Sequence, residues 1–254
     1  MKSRLDLLLV ERGLAESRAR AQALVMEGKV RVGGQVETKP SRQFGAEAVI
    51  EVEAPPRFVS RGGEKLAGAF ALWGGRLSAA GKACLDVGSS TGGFTDCLLQ
   101  HGARFVMAVD VGTNQLAYKL RSDPRVWVRE NYNARYLARA DLPETPALAV
   151  TDVSFISLKL ILPPIVGVLA EGGEVVALIK PQFEVGRGNA PGGLVRDESL
   201  RLGARDEIVR FAREELRLEL LGLAESPIRG REMGNVEYLS YWRKNGIHDI
   251  IRGL

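Results

Sequence analysis

Four polar residues stand where an apolar sheet interior would otherwise continue. Asp152 follows the apolar run in ALAVTDVSF, and Lys180 follows the run in EVVALIKPQFE. Glu237 opens the run in GNVEYLSYW, and Lys65 stands in SRGGEKLAGAF. Lysines beside carboxylates can hold charge, orient a ligand and move a proton. Lys180 weighs most. Apolar or small residues from Val175 to Ile179 precede it and Pro181 follows directly. Its ammonium is therefore partly desolvated, which costs free energy unless it is paired, and Asp152 is the natural partner. Taken singly, Lys65 and Glu237 also read as surface charges, and Asp152 as a turn cap.

These residues act together only if the fold brings them to one edge. From Arg61 onward, helical stretches alternate with apolar strand candidates at 83–87, 105–110, 126–129, 148–152, 174–179, 218–223 and 238–242. This rhythm predicts an α/β fold with a mostly parallel sheet covered on both faces. Ligands of such sheets bind at the carboxyl ends of the strands, so Asp152 and Lys180 face one crevice. Lys65, at the start of the helix leading into the first strand, lies on the same side. Glu237 joins them if the last strand runs antiparallel.

The segment CLDVGSSTGGFTDCLL sets a strand, a glycine-rich turn and a helix in sequence. Gly88, Gly92 and Gly93 let the backbone approach a ligand closely. Ser90 occupies the middle glycine position of a G-x-G-x-x-G fingerprint, which weakens the case for a pyrophosphate. Asp86, ending the strand, suits a cationic ligand such as the sulfonium and ammonium of S-adenosylmethionine and would oppose a phosphate. Asp110 ends the next strand, about 20 residues on, where a carboxylate accepts hydrogen bonds from ribose hydroxyls. NAD and S-adenosylmethionine share that feature, and Asp110 also reads as a cap before Gly112. Asn131, in Glu130-Asn131-Tyr132-Asn133, follows the third strand, where an adenine would lie. The candidate cofactor contacts are Asp86, Gly88, Ser89, Ser90, Gly92, Gly93, Phe94, Thr95, Asp110, Val111, Asn131 and Asp152.

The first 54 residues follow another pattern. A helix over 3–12 closes at Gly13, and Ser17 caps a second helix over 18–27 that ends at Gly28. Strands are expected at 29–32, 35–38 and 48–52, the first two joined by Gly33-Gly34. Ala54-Pro55-Pro56 marks a boundary, which gives a module at 1–54, a linker at 55–61 and a larger domain at 62–254. Arg18, Arg20, Lys29 and Arg31 gather on the second helix and the hairpin. By itself such a charge run is a solvated face.

The stretch RLDLLLVERGLAESRARAQALVMEGKVRVGG closely resembles the RNA-binding module first described in small-subunit ribosomal protein S-four. That resemblance implies Arg4, Arg18, Arg20, Lys29 and Arg31 as phosphate contacts, which supply affinity and orientation but little base specificity. The set Lys65, Asp152, Lys180 and Glu237 resembles that of the FtsJ/RrmJ class of ribose 2′-O-methyltransferases, whose last strand runs antiparallel. SRGGEKL, DVGSSTGGFTDCLL, TDVSFISL, LIKPQFEVGR and GNVEYL resemble the TlyA family, which joins the two modules. Spanning almost the whole chain, this resemblance implies a Rossmann-like fold, S-adenosylmethionine as cofactor and ribosomal RNA or a ribosomal subunit as partner. The reaction it implies is methylation of the ribose 2′-hydroxyl of cytidine. Lys180 would then accept the 2′-proton or stabilise the forming alkoxide. Asp152 would orient it beside the sulfonium, and Lys65 and Glu237 would hold the hydroxyl in line.

Composition narrows the alternatives. The chain has 254 residues, 45% hydrophobic and 26% charged, and its net charge of +4 only mildly favours a polyanionic partner. Cys84 and Cys97 lack CxxC spacing and read as buried, reduced thiols of a cytoplasmic protein. His101 and His248 have no ligand-like neighbours, so no metal site is expected. The apolar run at 7–10 is too short for a signal peptide, and no apolar span reaches membrane length. A pore-forming haemolysin, a label the TlyA family has carried, therefore lacks support. A non-catalytic ribosome-assembly factor is opposed by the intact set of four, and a nicotinamide-dependent oxidoreductase by Ser90 and Asp86. The loop FEVGRGNAPGGLVRDE reads equally as a lid over RNA or a surface loop.

Overall fold

Ser17 opens the second N-terminal helix as its sequence predicts, its hydroxyl accepting the Arg20 N–H at 3.2 Å. The computed structural model describes residues 2–54, 56–186, 188–230 and 234–245. The chain divides into two units, Met1–Pro56 and Arg57–Leu254. Pro55, Arg187 and His248, on which parts of the sequence reading fall, lie outside the described residues.

The N-terminal unit runs β1 (Lys2–Arg4), α1 (Leu5–Glu11), α2 (Arg18–Met26), β2 (Val30–Val32), β3 (Gln35–Val36), β4 (Gln43–Gly45) and β5 (Ile50–Val52). Strands β3, β2 and β5 form one antiparallel sheet and β1 pairs with β4. Leu5, Leu9, Ala21, Leu24, Val25 and Val30 fill the core between the helices and the hairpin. Strands β1 and β4 are absent from the sequence expectation, and β1 takes residues assigned there to the first helix. Their sequences, KSR and QFG, are too short and polar to show an alternating pattern.

The second unit runs α3 (Gly62–Trp73), β6 (Ala83–Val87), α4 (Gly93–Gln100), β7 (Phe105–Val109), α5 (Tyr118–Arg121) and β8 (Val126–Arg129). It continues through β9 (Leu148–Thr151), α6 (Leu158–Val168), β10 (Glu174–Ile179), α7 (Glu198–Glu214), β11 (Leu218–Glu225) and β12 (Tyr238–Lys244). The sheet order is β11-β12-β10-β9-β6-β7-β8. The five strands from β10 to β8 are parallel, and β12 is antiparallel to both neighbours. This is the expected α/β sheet. Asp110 and Asp152 lie one residue beyond their strands, and β11 and β12 run two residues past their expected ends.

Strand alternation decides where the polar residues point. Leu148 and Val150, Val176 and Leu178, and Leu239 and Tyr241 face α3 and α4. Ala149, Val175, Ala177 and Ile179 face α6 and α7. Asp152, Lys180 and Glu237, each one step beyond its strand, keep the parity of the first set. They therefore extend toward the side covered by α3, which carries Lys65 near its start. Both cysteines are free and buried. Among the described residues, no helix is long and apolar enough to cross a membrane.

Candidate active site

The register of β10 and β12 sets Ile179 opposite Tyr238, which puts Lys180 and Glu237 side by side at the sheet edge. Charge pairing then threads four side chains together. Lys65 Nζ lies 2.7 Å from Glu237 Oε2 and 3.4 Å from Asp152 Oδ2. Lys180 Nζ lies 2.6 Å from Asp152 Oδ1 and donates to Ser154 Oγ at 2.8 Å. The order Glu237–Lys65–Asp152–Lys180 alternates in sign, so neighbouring charges always attract. Lys65, Lys180 and Glu237 are buried, with 8%, 7% and 3% exposure. Charges so far from water persist only when paired, and this pairing also fixes their positions. All four line one cavity of about 880 Å³, together with Gly88, Ser89, Ser90, Gly93 and Phe94.

A second cavity of about 770 Å³ opens beside it and shares Gly88, Ser90, Asp152, Ser154 and Phe155. Its own wall holds Asp110, Val111, Tyr132, Asn133 and Arg135, with Val87, Val153 and Ile161 as apolar sides. Asp110 Oδ2 accepts the Ser90 N–H and Oδ1 the Gly112 N–H, each at 2.7 Å. A carboxylate oxygen accepts two bonds, so each retains capacity for a ligand hydroxyl. The second reading of Asp110, as a local cap, is thus realised. Ser90 takes the left-handed conformation, φ 47°, where the dinucleotide fingerprint has glycine.

The residues suit S-adenosylmethionine. Two carboxylates and one arginine are the only charged groups in the second cavity's described lining, an acidic balance that favours a cationic ligand over a pyrophosphate. Asp86 adds to this. It is fully buried, Oδ2 accepts the Thr95 hydroxyl at 2.6 Å, and Oδ1 has no hydrogen-bond partner among the described residues. Burial, chiefly, pushes its carboxyl up to about 7, with Asp152 and Asp110 adding to the rise and Thr95 opposing it.

Four expected contacts stand elsewhere. Asp86 and Thr95 sit beneath the glycine turn, outside both cavity linings. A Cβ on Gly92, at φ 96°, would come 2.3 Å from Leu120 Cδ1, so that glycine serves packing. Asn131 is exposed, its N–H bonded to the Gly112 carbonyl, while Tyr132, Asn133, Ala134 and Arg135 take the wall. Direction along an irregular segment cannot be read from residue type, which is why the expectation missed by one residue.

In the N-terminal unit, Arg4 and Arg18 both turn to Asp6. Arg4 Nη2 lies 2.9 Å and Arg18 Nε 3.1 Å from its Oδ2, which Gln22 also bonds at 2.9 Å. These donors, Arg4 foremost, hold the buried Asp6 carboxyl well below the usual range. Arg20 is exposed, Lys29 pairs with Glu27 at 2.7 Å, and Arg31 donates to the Gly34 carbonyl at 3.3 Å. The sequence reading missed Asp6, whose place on the apolar side of α1 between Leu5 and Leu8 was the available signal.

It also missed Ser154, Phe155 and Glu184. Phe155 is 84% exposed at φ 65°, an unusual pairing for a large aromatic, and packs 5.2 Å from Phe183. Glu184 accepts Ser157 Oγ at 2.5 Å and the Leu158 N–H at 2.9 Å, tying the turn after Lys180 to the segment after Asp152. The glycine-rich loop after Glu184 is anchored by Asn235, which bonds Gly193 and Val195, while Ala190, Gly192 and Gly193 line the first cavity.

Comparison with known proteins places the chain among characterised families. The profile of FtsJ-like methyltransferases matches residues 58–244, and that of the S4 domain residues 3–50. The 16S/23S rRNA (cytidine-2′-O)-methyltransferase TlyA of Mycobacterium tuberculosis is 44% identical, over 95% of this chain and 90% of that protein. Hemolysin A of Brachyspira hyodysenteriae is 43% identical, over 94% and 99%. A hemolysin-named protein of Streptococcus thermophilus superposes with a TM-score of 0.73 at 43% identity, over 96% and 89%.

Proposed function

The chain belongs to the TlyA family of FtsJ-like methyltransferases, and from that membership we propose that it methylates the ribose 2′-hydroxyl of cytidine in ribosomal RNA, using S-adenosylmethionine. The observation that carries this reading is the alternating chain Glu237–Lys65–Asp152–Lys180 in a cavity that joins an acid-lined one through Asp152.

S-adenosylmethionine supplies, when bound, a methyl carbon on a cationic sulfur. Asp110 would receive the ribose hydroxyls, and Asp152 would face the cationic centre from the shared wall. The bond formed joins the 2′-oxygen to the methyl carbon, and the bond broken is carbon to sulfur. Lys180, held between Asp152 and Ser154, would take the 2′-proton as it passes one of its own to Asp152, so that its positive charge neutralises the charge growing on the oxygen. Lys65 and Glu237 hold the hydroxyl in line. The N-terminal unit recruits RNA through phosphate contacts from Arg4, Arg18, Arg20, Lys29 and Arg31.

The test is transfer of labelled methyl from S-adenosylmethionine to ribosomal subunits taken from cells lacking the protein, followed by mapping of 2′-O-methyl positions. A labelled cytidine ribose is expected. Label on a base or on protein, or none, would sink the reading.

A further inference from the structure

Among the described residues, the charges lining the catalytic cavity do not cancel. Lys65 and Lys180 are matched by Asp152 and Glu237, yet the same wall holds Arg61 and Arg229, both exposed. Arg61 Nη2 donates to the Arg229 carbonyl at 3.3 Å, which gathers the two residues at one side of the opening. Among the described residues no carboxylate pairs with either. The cavity's surplus of positive charge thus resides in two accessible guanidinium groups beside a neutral reacting centre.

We propose that Arg61 and Arg229 form a clamp for a backbone phosphate of the RNA strand whose ribose enters the cavity. This rests on the RNA-methyltransferase reading and adds a binding site to it. A ribose 2′-hydroxyl cannot reach Lys180 without its flanking phosphodiesters approaching the cavity wall. Guanidinium groups meet phosphate oxygens with paired, charge-assisted hydrogen bonds. The clamp fixes where the strand crosses the opening and so which ribose is presented. The reacting charges themselves, already neutralised by one another, attract no polyanion.

The test uses the full chain with Arg61→Gln, Arg229→Gln and the double substitution. Affinity for a ribosomal RNA fragment is measured across a potassium chloride series, and S-adenosylmethionine affinity by calorimetry. Each single substitution is expected to weaken RNA binding roughly tenfold and reduce the slope of log affinity against log salt by about one, the double by about two. Lysine at either position should restore the slope. S-adenosylmethionine affinity should stay as in the unaltered protein, which also reports intact folding. Unchanged RNA affinity and slope would overturn the clamp, as would failure of lysine to restore the slope. Weakened S-adenosylmethionine binding would overturn it too, by assigning the arginines to the cofactor's carboxylate. If the substitutions change RNA affinity and slope as expected but the unaltered protein transfers no methyl, the clamp stands and the functional reading fails.

Discussion

At the sheet edge, two lysines and two carboxylates alternate in a buried chain of no net charge, whereas in the N-terminal unit one buried carboxylate gathers Arg4, Arg18 and Gln22. In the first arrangement each charge depends on its neighbours for existence away from water, so the product is position. In the second, Asp6 aligns cations whose side chains remain 36% and 55% exposed, so the product is outward positive charge. Under the proposed function, geometry does the chemistry and surplus charge the recruitment. The two should therefore fail differently when altered.

The sharpest way to break the contrast is at Asp152, which touches both lysines and both cavities. Asp152→Ala leaves Lys65 with one partner and Lys180 with none of its acid. Single-turnover methyl transfer is expected to fall at least ~1000-fold, with S-adenosylmethionine affinity falling too. A variant that kept its rate would show that alternation is incidental.

A smaller effect is expected at Asp6. Asp6→Ala removes the acceptor of three donors and should lower the stability of the N-terminal unit by about 2 kcal/mol, with a severalfold loss of RNA affinity. Because Asp6's carboxyl is held low in the folded unit, its stabilisation is present above the ordinary carboxylate value near pH 4 and is lost as pH falls through the folded value. Thermal melts between pH 7 and pH 3 should show this acid-side loss in the unaltered protein and less of it in the variant.

The mildest prediction concerns Asp86, raised to about 7 by burial. A cationic ligand favours the ionised carboxylate, so S-adenosylmethionine should bind more tightly as pH rises toward 7, by at most about tenfold per unit, and level off above it. Asp86→Asn should flatten that dependence. A flat profile in the unaltered protein would place Asp86 outside the electrostatics of cofactor binding.

Much of this site was legible because strand ends announce themselves. Lys180 after an apolar run and before proline, and Asp152 after another, could be placed at one edge from parallel topology alone. Glu237 followed once the last strand was taken as antiparallel. What escaped notice depended on direction rather than type. Asp86 shares the parity of Cys84 and so points under α4 to Thr95, where it supports the glycine turn from behind. Asn131 and Tyr132 are adjacent, and only the backbone, at φ 53° for Asn131, decides which one faces the cavity. Glu184 acts across the gap between two turns, a contact that no local pattern encodes. Strands β1 and β4 are held by each other rather than by propensity.

The most direct test of the central claim is Lys180→Ala, assayed for single-turnover methyl transfer to ribosomal RNA alongside calorimetric binding of S-adenosylmethionine. Transfer is expected to be abolished while cofactor affinity stays close to that of the unaltered protein. Full transfer activity in that variant would contradict the claim.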